Sequence, residues 1–176
     1  MNIAAQPPVQ ADQTIYLKDY QKPAFLVESI HLDIQVYDDH TIVDSTLVMK
    51  RQAAGELVLL GRDLELQSIQ MNGQLLNADQ YQLDSEQLVI TDAPDQVIVQ
   101  TKVIIHPESN TQLEGLYKAG DLFVTQNEPE GFRKITFYPD RPDVLAEFTT
   151  RVEADKKYPV LLANGNLLET GEVGEG

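Results

Sequence analysis

The 176-residue chain contains no cysteine and no tryptophan. Without thiols, a disulfide framework and thiolate metal sites are both excluded. Basic residues are also scarce, 13 against 28 acidic ones, for a formal net charge of −15. A surface of that sign repels phosphate backbones, so nucleic acid is not an expected partner. Beyond its plain effect on solubility, it attracts cations, among them the free amino end of a peptide. No apolar run is long enough to span a bilayer, and no membrane partner is expected. The opening "MNIAAQPPVQADQTIY" has no basic stretch leading into an apolar one. No secretory signal is read there, and the expected compartment is the cytoplasm.

The compact signatures of catalysis are missing too. There is no G-x-S-x-G, no phosphate-binding glycine loop, no dinucleotide fingerprint and no H-E-x-x-H. The three histidines, His31, His40 and His106, lack the i, i+4 spacing of a zinc helix and read as surface residues. Asp38-Asp39 falls in a turn without the oxygen-rich spacing of a calcium loop. No metal is expected to be bound by this chain.

What is present is period-two alternation. From Leu26, the residues Leu26, Glu28, Ile30, Leu32, Ile34 and Val36 fall on one face, and Ser29, His31, Asp33 and Gln35 on the other. That is the pattern of a half-buried antiparallel strand. "IVDSTLVMK", "GELVLLG", "LELQSIQM", "QLVIT" and "QVIVQTKVII" continue the series. Asn72-Gly73 is a strong hairpin signal, and a second hairpin turns near Ala119-Gly120. "FTTRVEAD" and "YPVLLANGNLLETGEV" return to strands, with Asn164-Gly165 as their turn. No amphipathic helix of normal length is present. The class is all-β, an antiparallel or mixed curved sheet or a β-sandwich with at most one short helical turn, placed at "DRPDVLAEF". Residues 1–22, polar and proline-bearing, read as a loosely ordered arm. Residues 23–176 read as a single β-domain.

One stretch breaks the alternation. "TQNEPEGFRKITFYPDRP", residues 125–142, crowds charged, aromatic and proline residues together. It is either a long structural loop with solvated charges or the carrier of a site. With "LEGLY" before it and "KYPVLLANGN" after it, this stretch closely resembles the amino-terminal β-domain of the bacterial aminopeptidase N family, within the zinc-dependent gluzincin aminopeptidases. The family's T-Q-x-E, a following arginine and P-x-x-P are met by Thr125, Gln126, Glu128, Arg133, Pro139 and Pro142.

The resemblance implies that the domain lends a substrate-binding loop to an active site housed mainly in the catalytic domain of the same polypeptide. Glu128 would bind the α-amino group of peptides with a free N-terminus. Gln126 would line the pocket for the first side chain. Arg133 and the "YPDRP" turn would hold the loop's shape, and Glu130 has no family role and reads as solvated. Zinc would serve the intact enzyme but would not be held here, and this chain alone would be inactive. The end "ETGEVGEG" falls where the family continues with further strands, so the domain is expected to lack its own last part.

The implied chemistry is physically sensible. A carboxylate accepting charge-assisted hydrogen bonds from an ammonium would be left unsatisfied by an internal amide. Each such bond is worth about 1.5–3 kcal/mol, enough for one to two orders of magnitude in selection. The rival reading is a stand-alone β-sandwich that binds a peptide or protein, or serves as a scaffold, without catalysis.

Overall fold

A computed structural model describes residues 16–174. Among them, the chain forms β1 (Phe25–Val36), β2 (Thr41–Arg51), β3 (Leu57–Leu60), β4 (Glu65–Met71), β5 (Gln74–Leu75) and β6 (Gln82–Leu83). It continues with β7 (Gln87–Ile90), β8 (Gln96–Ile105), β9 (Gly115–Ala119), β10 (Leu122–Gln126) and β11 (Glu147–Ala154). Six strands make one sheet in the order β11-β1-β2-β8-β4-β5, with β3-β7-β6 and β10-β9 as smaller sheets. Only β11 runs parallel to its neighbour, β1. The class is all-β, with a mixed main sheet.

The alternation works as read in β2 and β8, where every second residue faces the core. Val43, Leu47 and Met49 of β2 meet Val97, Val99 and Val103 of β8 in a continuous buried cluster. In β1 the reading needs correction. The pairing steps from Val27–Met49 to Ser29–Val48, which leaves Glu28 as an extra residue in a bulge. A one-residue slip exchanges the two faces of a strand. Before the bulge Phe25 and Val27 point inward; after it Ile30 and Leu32 do, while Leu26 is left exposed.

The Asn72-Gly73 hairpin joins β4 to β5, with φ of 53° and 78°. Both central residues are thus in the positive region that a tight two-residue hairpin of this hand demands. The second hairpin joins β9 to β10 with Gly120 at φ 63°.

Two expectations fail. The helical turn expected after Pro142 is a single tight turn, closed by Val144 N–H donating to the Arg141 carbonyl at 3.1 Å. Asp143 there accepts two bonds from Arg141 and one from the Tyr20 hydroxyl, and the next apolar residue, Leu145, is 84% exposed. Val144 is buried but Leu145 is not, so no apolar stripe runs on for a longer helix to cover. The helical turns lie instead at Leu17–Asp19 and Phe132–Lys134, each one 3-10 turn.

The strands expected after Tyr158 are also absent from the described residues. Val160, Leu161, Leu162, Leu167, Leu168 and Val173 are exposed. A two-stranded hairpin with no sheet to cover is marginal in water, and Gly165, at φ 93°, turns the chain without paired strands on either side. Of the arm expected over residues 1–22, residues 1–15 lie outside the described residues. Residues 16–22 are exposed, and Tyr20 and Gln21 reach the 141–143 corner.

Candidate functional site

Residues 127–134 leave the β9-β10 hairpin at its last pair, Gln126 with Gly115. The chain then closes a turn in which Gly131 N–H donates to the Asn127 carbonyl at 2.9 Å. Only glycine fits at 131. A β-carbon there would come within 2.3 Å of the Gln126 carbonyl oxygen and 2.8 Å of the Asn127 α-carbon. This close approach folds the loop back on itself and pushes its crest outward.

Glu128 sits at that crest, exposed, with its side chain unpaired among the described residues. Gln126 is exposed beside it and donates from Nε2 to the Glu128 carbonyl at 3.1 Å. The structure therefore brings the two sequence-predicted residues together on one short segment. Both lie on open surface, with no enclosing walls among the described residues.

The loop's far end is held by charge. Arg133 donates from its backbone N–H (3.1 Å) and Nε (3.0 Å) to Asp140 Oδ2, and from Nη2 to the Asp140 carbonyl at 3.0 Å. Glu130, read as solvated, is a further partner of the same guanidinium at 3.1 Å. Beyond Arg133 the chain dives into the core. Ile135, Phe137 and Tyr138 are buried, and Tyr138 and Leu60 exchange backbone bonds of 3.0 and 2.8 Å. The interrupted stretch is thus a loop at its start and core at its end.

Lys134 is the residue that sequence reasoning missed. Its side chain is 4% exposed, and its ammonium pairs with Asp63 Oδ2 at 2.8 Å and with the Gln112 amide oxygen. The available signal was a lysine, next to Arg133, at the head of the mostly apolar "KITFY" run.

A cleft among the described residues lies elsewhere. It encloses about 590 Å³ between Gly61–Glu65, Leu83–Ser85 and the 105–116 segment, with Lys134 and Phe137 at its floor. Neither Gln126 nor Glu128 lines it. A cleft of that size could admit a small ligand, but its polar groups mostly serve their own turns. Asn110 bonds the Glu114 and Leu116 carbonyls, and Asp84 accepts the Glu86 and Gln87 amides.

The histidines are dispersed. His31 is exposed, and His40 stacks on Tyr37 at 4.7 Å beside Asp39. His106 bridges the Asp39 carbonyl at 3.2 Å and Glu65 at 3.0 Å. Its pKa is raised, first by that carbonyl and then by Glu65. Among the described residues no three His, Asp or Glu side chains gather as metal ligands. The described residues therefore offer zinc no ligand set. No helix among the described residues is long and apolar enough to cross a membrane.

Residues 19–176 match the Peptidase M1 N-terminal domain. The chain belongs to that family. It is 43% identical to aminopeptidase N of Caulobacter vibrioides over 166 residues, which is 93% of this chain and 19% of that protein. It is 41% identical to aminopeptidase N of Escherichia coli over 170 residues, covering 95% and 19%. The structure of Legionella pneumophila aminopeptidase A in complex with aspartic acid superposes with a TM-score of 0.85 at 32% identity, over 91% of this chain and 20% of that one. The chain thus spans about a fifth of the length of these relatives.

Proposed function

We propose that this M1 N-terminal domain anchors the free α-amino end of peptides for a zinc-dependent aminopeptidase that removes N-terminal residues. The observation that carries the reading is the placement of Glu128: an unpaired carboxylate, exposed at the crest of a loop closed by the Gly131–Asn127 backbone bond and held beyond it by Arg133. An ammonium docking there would find a charged acceptor already in position, so binding energy would go into orienting the peptide and not into ordering the loop. Gln126, its amide nitrogen engaged with the loop, would line the pocket for the first side chain.

On this reading the partners are the catalytic domain of the same polypeptide and peptides with a free N-terminus. Nucleic acid and membrane are not partners, and the compartment is the cytoplasm. Zinc and the groups that break the bond would belong to the catalytic domain, and this chain alone would be inactive.

The test uses the polypeptide that carries this domain together with its catalytic part. Glu128→Gln should lower kcat/KM on free-amine aminoacyl amides by roughly 10- to 100-fold, the worth of one charge-assisted bond. Zinc content should be unchanged. Undiminished efficiency in that variant would remove Glu128 from the site. Absence of any aminopeptidase activity in the parent would favour the non-catalytic binding or scaffold reading.

A further inference from the structure

Lys134 is the one cation buried among the described residues of a strongly acidic chain. Desolvating an ammonium is costly unless paired. Here the pairing partners come from two separate loops: Asp63, ahead of β4, and Gln112, ahead of β9. Asp63 has φ 56°, in the left-handed region that most side chains avoid but aspartate tolerates, and its side chain is 67% exposed.

The other end of Lys134 touches the base of the Glu128 loop. Its backbone N–H donates to the Gly131 carbonyl at 3.1 Å. Its β-carbon lies against Gly115, where an added methyl would come within 2.6 Å of it. Gly115 is the strand partner of Gln126, and Gly131 packs on the Gln126 carbonyl. One continuous set of contacts therefore runs from Asp63 and Gln112, through Lys134, to Gly115 and Gly131, and so to Gln126 and Asn127 beside Glu128.

We propose that Lys134 is a positioning residue, whose buried ammonium clamps the turn under Glu128 to the Asp63 and Gln112 loops and so sets the reach of that carboxylate. Arg133 braces the same turn through Asp140, which leaves the crest little freedom to recoil from an incoming ammonium. The link to substrate rests on the anchoring role proposed for Glu128; the clamp itself does not.

Two measurements separate these. The first is amide hydrogen exchange on this chain. Lys134→Met keeps the side chain's length and removes its charge. It should speed exchange of the Gly131 amide, which is bonded to the Asn127 carbonyl, by tenfold or more while β8 amides such as Val99 change less than twofold. An unchanged Gly131, or equal acceleration at both places, overturns the clamp. Should Lys134→Met not fold, Asp63→Asn removes the exposed partner alone and should give the same pattern, about threefold at Gly131; uniform exchange there overturns the proposal equally.

The second is kinetic, on the polypeptide with its catalytic part. Lys134→Met should raise KM for a free-amine amide about tenfold and alter kcat less than threefold. In a Glu128→Gln background the same change should move KM less than twofold, because the residue it positions is gone. Additive losses would make Lys134 merely structural. A parent indifferent to acetylation of the substrate amine would instead defeat the anchoring function, and Gly131 exchange would still decide the clamp.

Discussion

Arg133 Nε lies 3.0 Å from Asp140 Oδ2, and both side chains are 12% exposed. Seven residues separate them in sequence, and between them the chain passes through the core at Ile135 and Phe137. The pair therefore staples the entrance of a buried segment to its exit. Removing one partner strands the other charge in a poorly solvated place, which costs about 3 kcal/mol. Arg133→Ala should lower the stability of the domain by about that amount, read from the midpoint of urea unfolding at constant slope. A loss under 0.5 kcal/mol would mean that water reaches the pair and that the loop is held by other contacts.

Gly131→Ala tests the close approach that shapes the crest. The new β-carbon would overlap backbone, not the end of a movable side chain. The turn must open, at roughly 1–3 kcal/mol by the usual cost of overpacking. Gly73→Ala supplies the control: Gly73 has φ 78° but open space around it, so only the conformational term of about 1 kcal/mol applies. Thermal unfolding of the two variants should rank Gly131→Ala as the more damaging. The reverse order would show that the Gln126 carbonyl can move aside freely.

The legibility of this chain in its sequence divides along physical lines. Strands with one buried face wrote themselves into the alternation, as in β2 and β8, because the period of two is the geometry of the pleat. The bulge at Glu28 was invisible, since one extra residue leaves every local preference intact and only the partner strand reveals the slip. The apolar run after Tyr158 read as strands because apolar content records what a segment would bury, and not whether a covering surface is at hand. Gln126 and Glu128 are singled out only by spacing that matches a family, and the structure places both at the surface. Lys134 left no such trace, because its partners Asp63 and Gln112 are 71 and 22 residues away.

His106 makes stability weakly pH-dependent. Its Nδ1 faces the Asp39 carbonyl, and its Nε2 faces Glu65, with Glu108 nearby at 3.4 Å. These acceptors raise its pKa above the ordinary 6.5. A raised folded-state value means that the contribution is fully present below about pH 6.5 and fades as pH climbs through the folded value. The side chain is 41% exposed, so solvent screening limits the effect to a few tenths of a kcal/mol. Urea midpoints at pH 6 and pH 8.5 should show this loss in the wild type and not in His106→Gln. If the variant shows the same loss, another group is responsible.

Tyr138 offers the sharpest pH signature. Its ring is buried, edge-on to Phe132 at 5.0 Å and tilted against Phe148 at 6.2 Å. Its hydroxyl is buried with no hydrogen-bond partner among the described residues. Burial pushes its pKa from 10.0 to about 12, with the nearby Asp140 charge adding to the rise. An acid held neutral in this way leaves stability unchanged below about pH 10, and the fold loses stability as pH rises toward 12, because the unfolded phenol ionises first. One unit above the unfolded value the loss is roughly 1.4 kcal/mol. Tyr138→Phe keeps the ring contacts and the backbone bonds to Leu60 while deleting an unpaired polar atom. At pH 7 the variant should equal the wild type or exceed it by up to about 1 kcal/mol, since a buried hydroxyl without a partner has only its desolvation cost to remove. By pH 11 the gap should widen in the variant's favour, because phenylalanine has no proton to lose. Urea unfolding of both proteins at pH 7 and pH 11 measures both quantities. A variant less stable by more than 1 kcal/mol at pH 7 would mean that the hydroxyl is satisfied after all, and an unchanged gap at pH 11 would mean that it is already open to ionisation in the folded state.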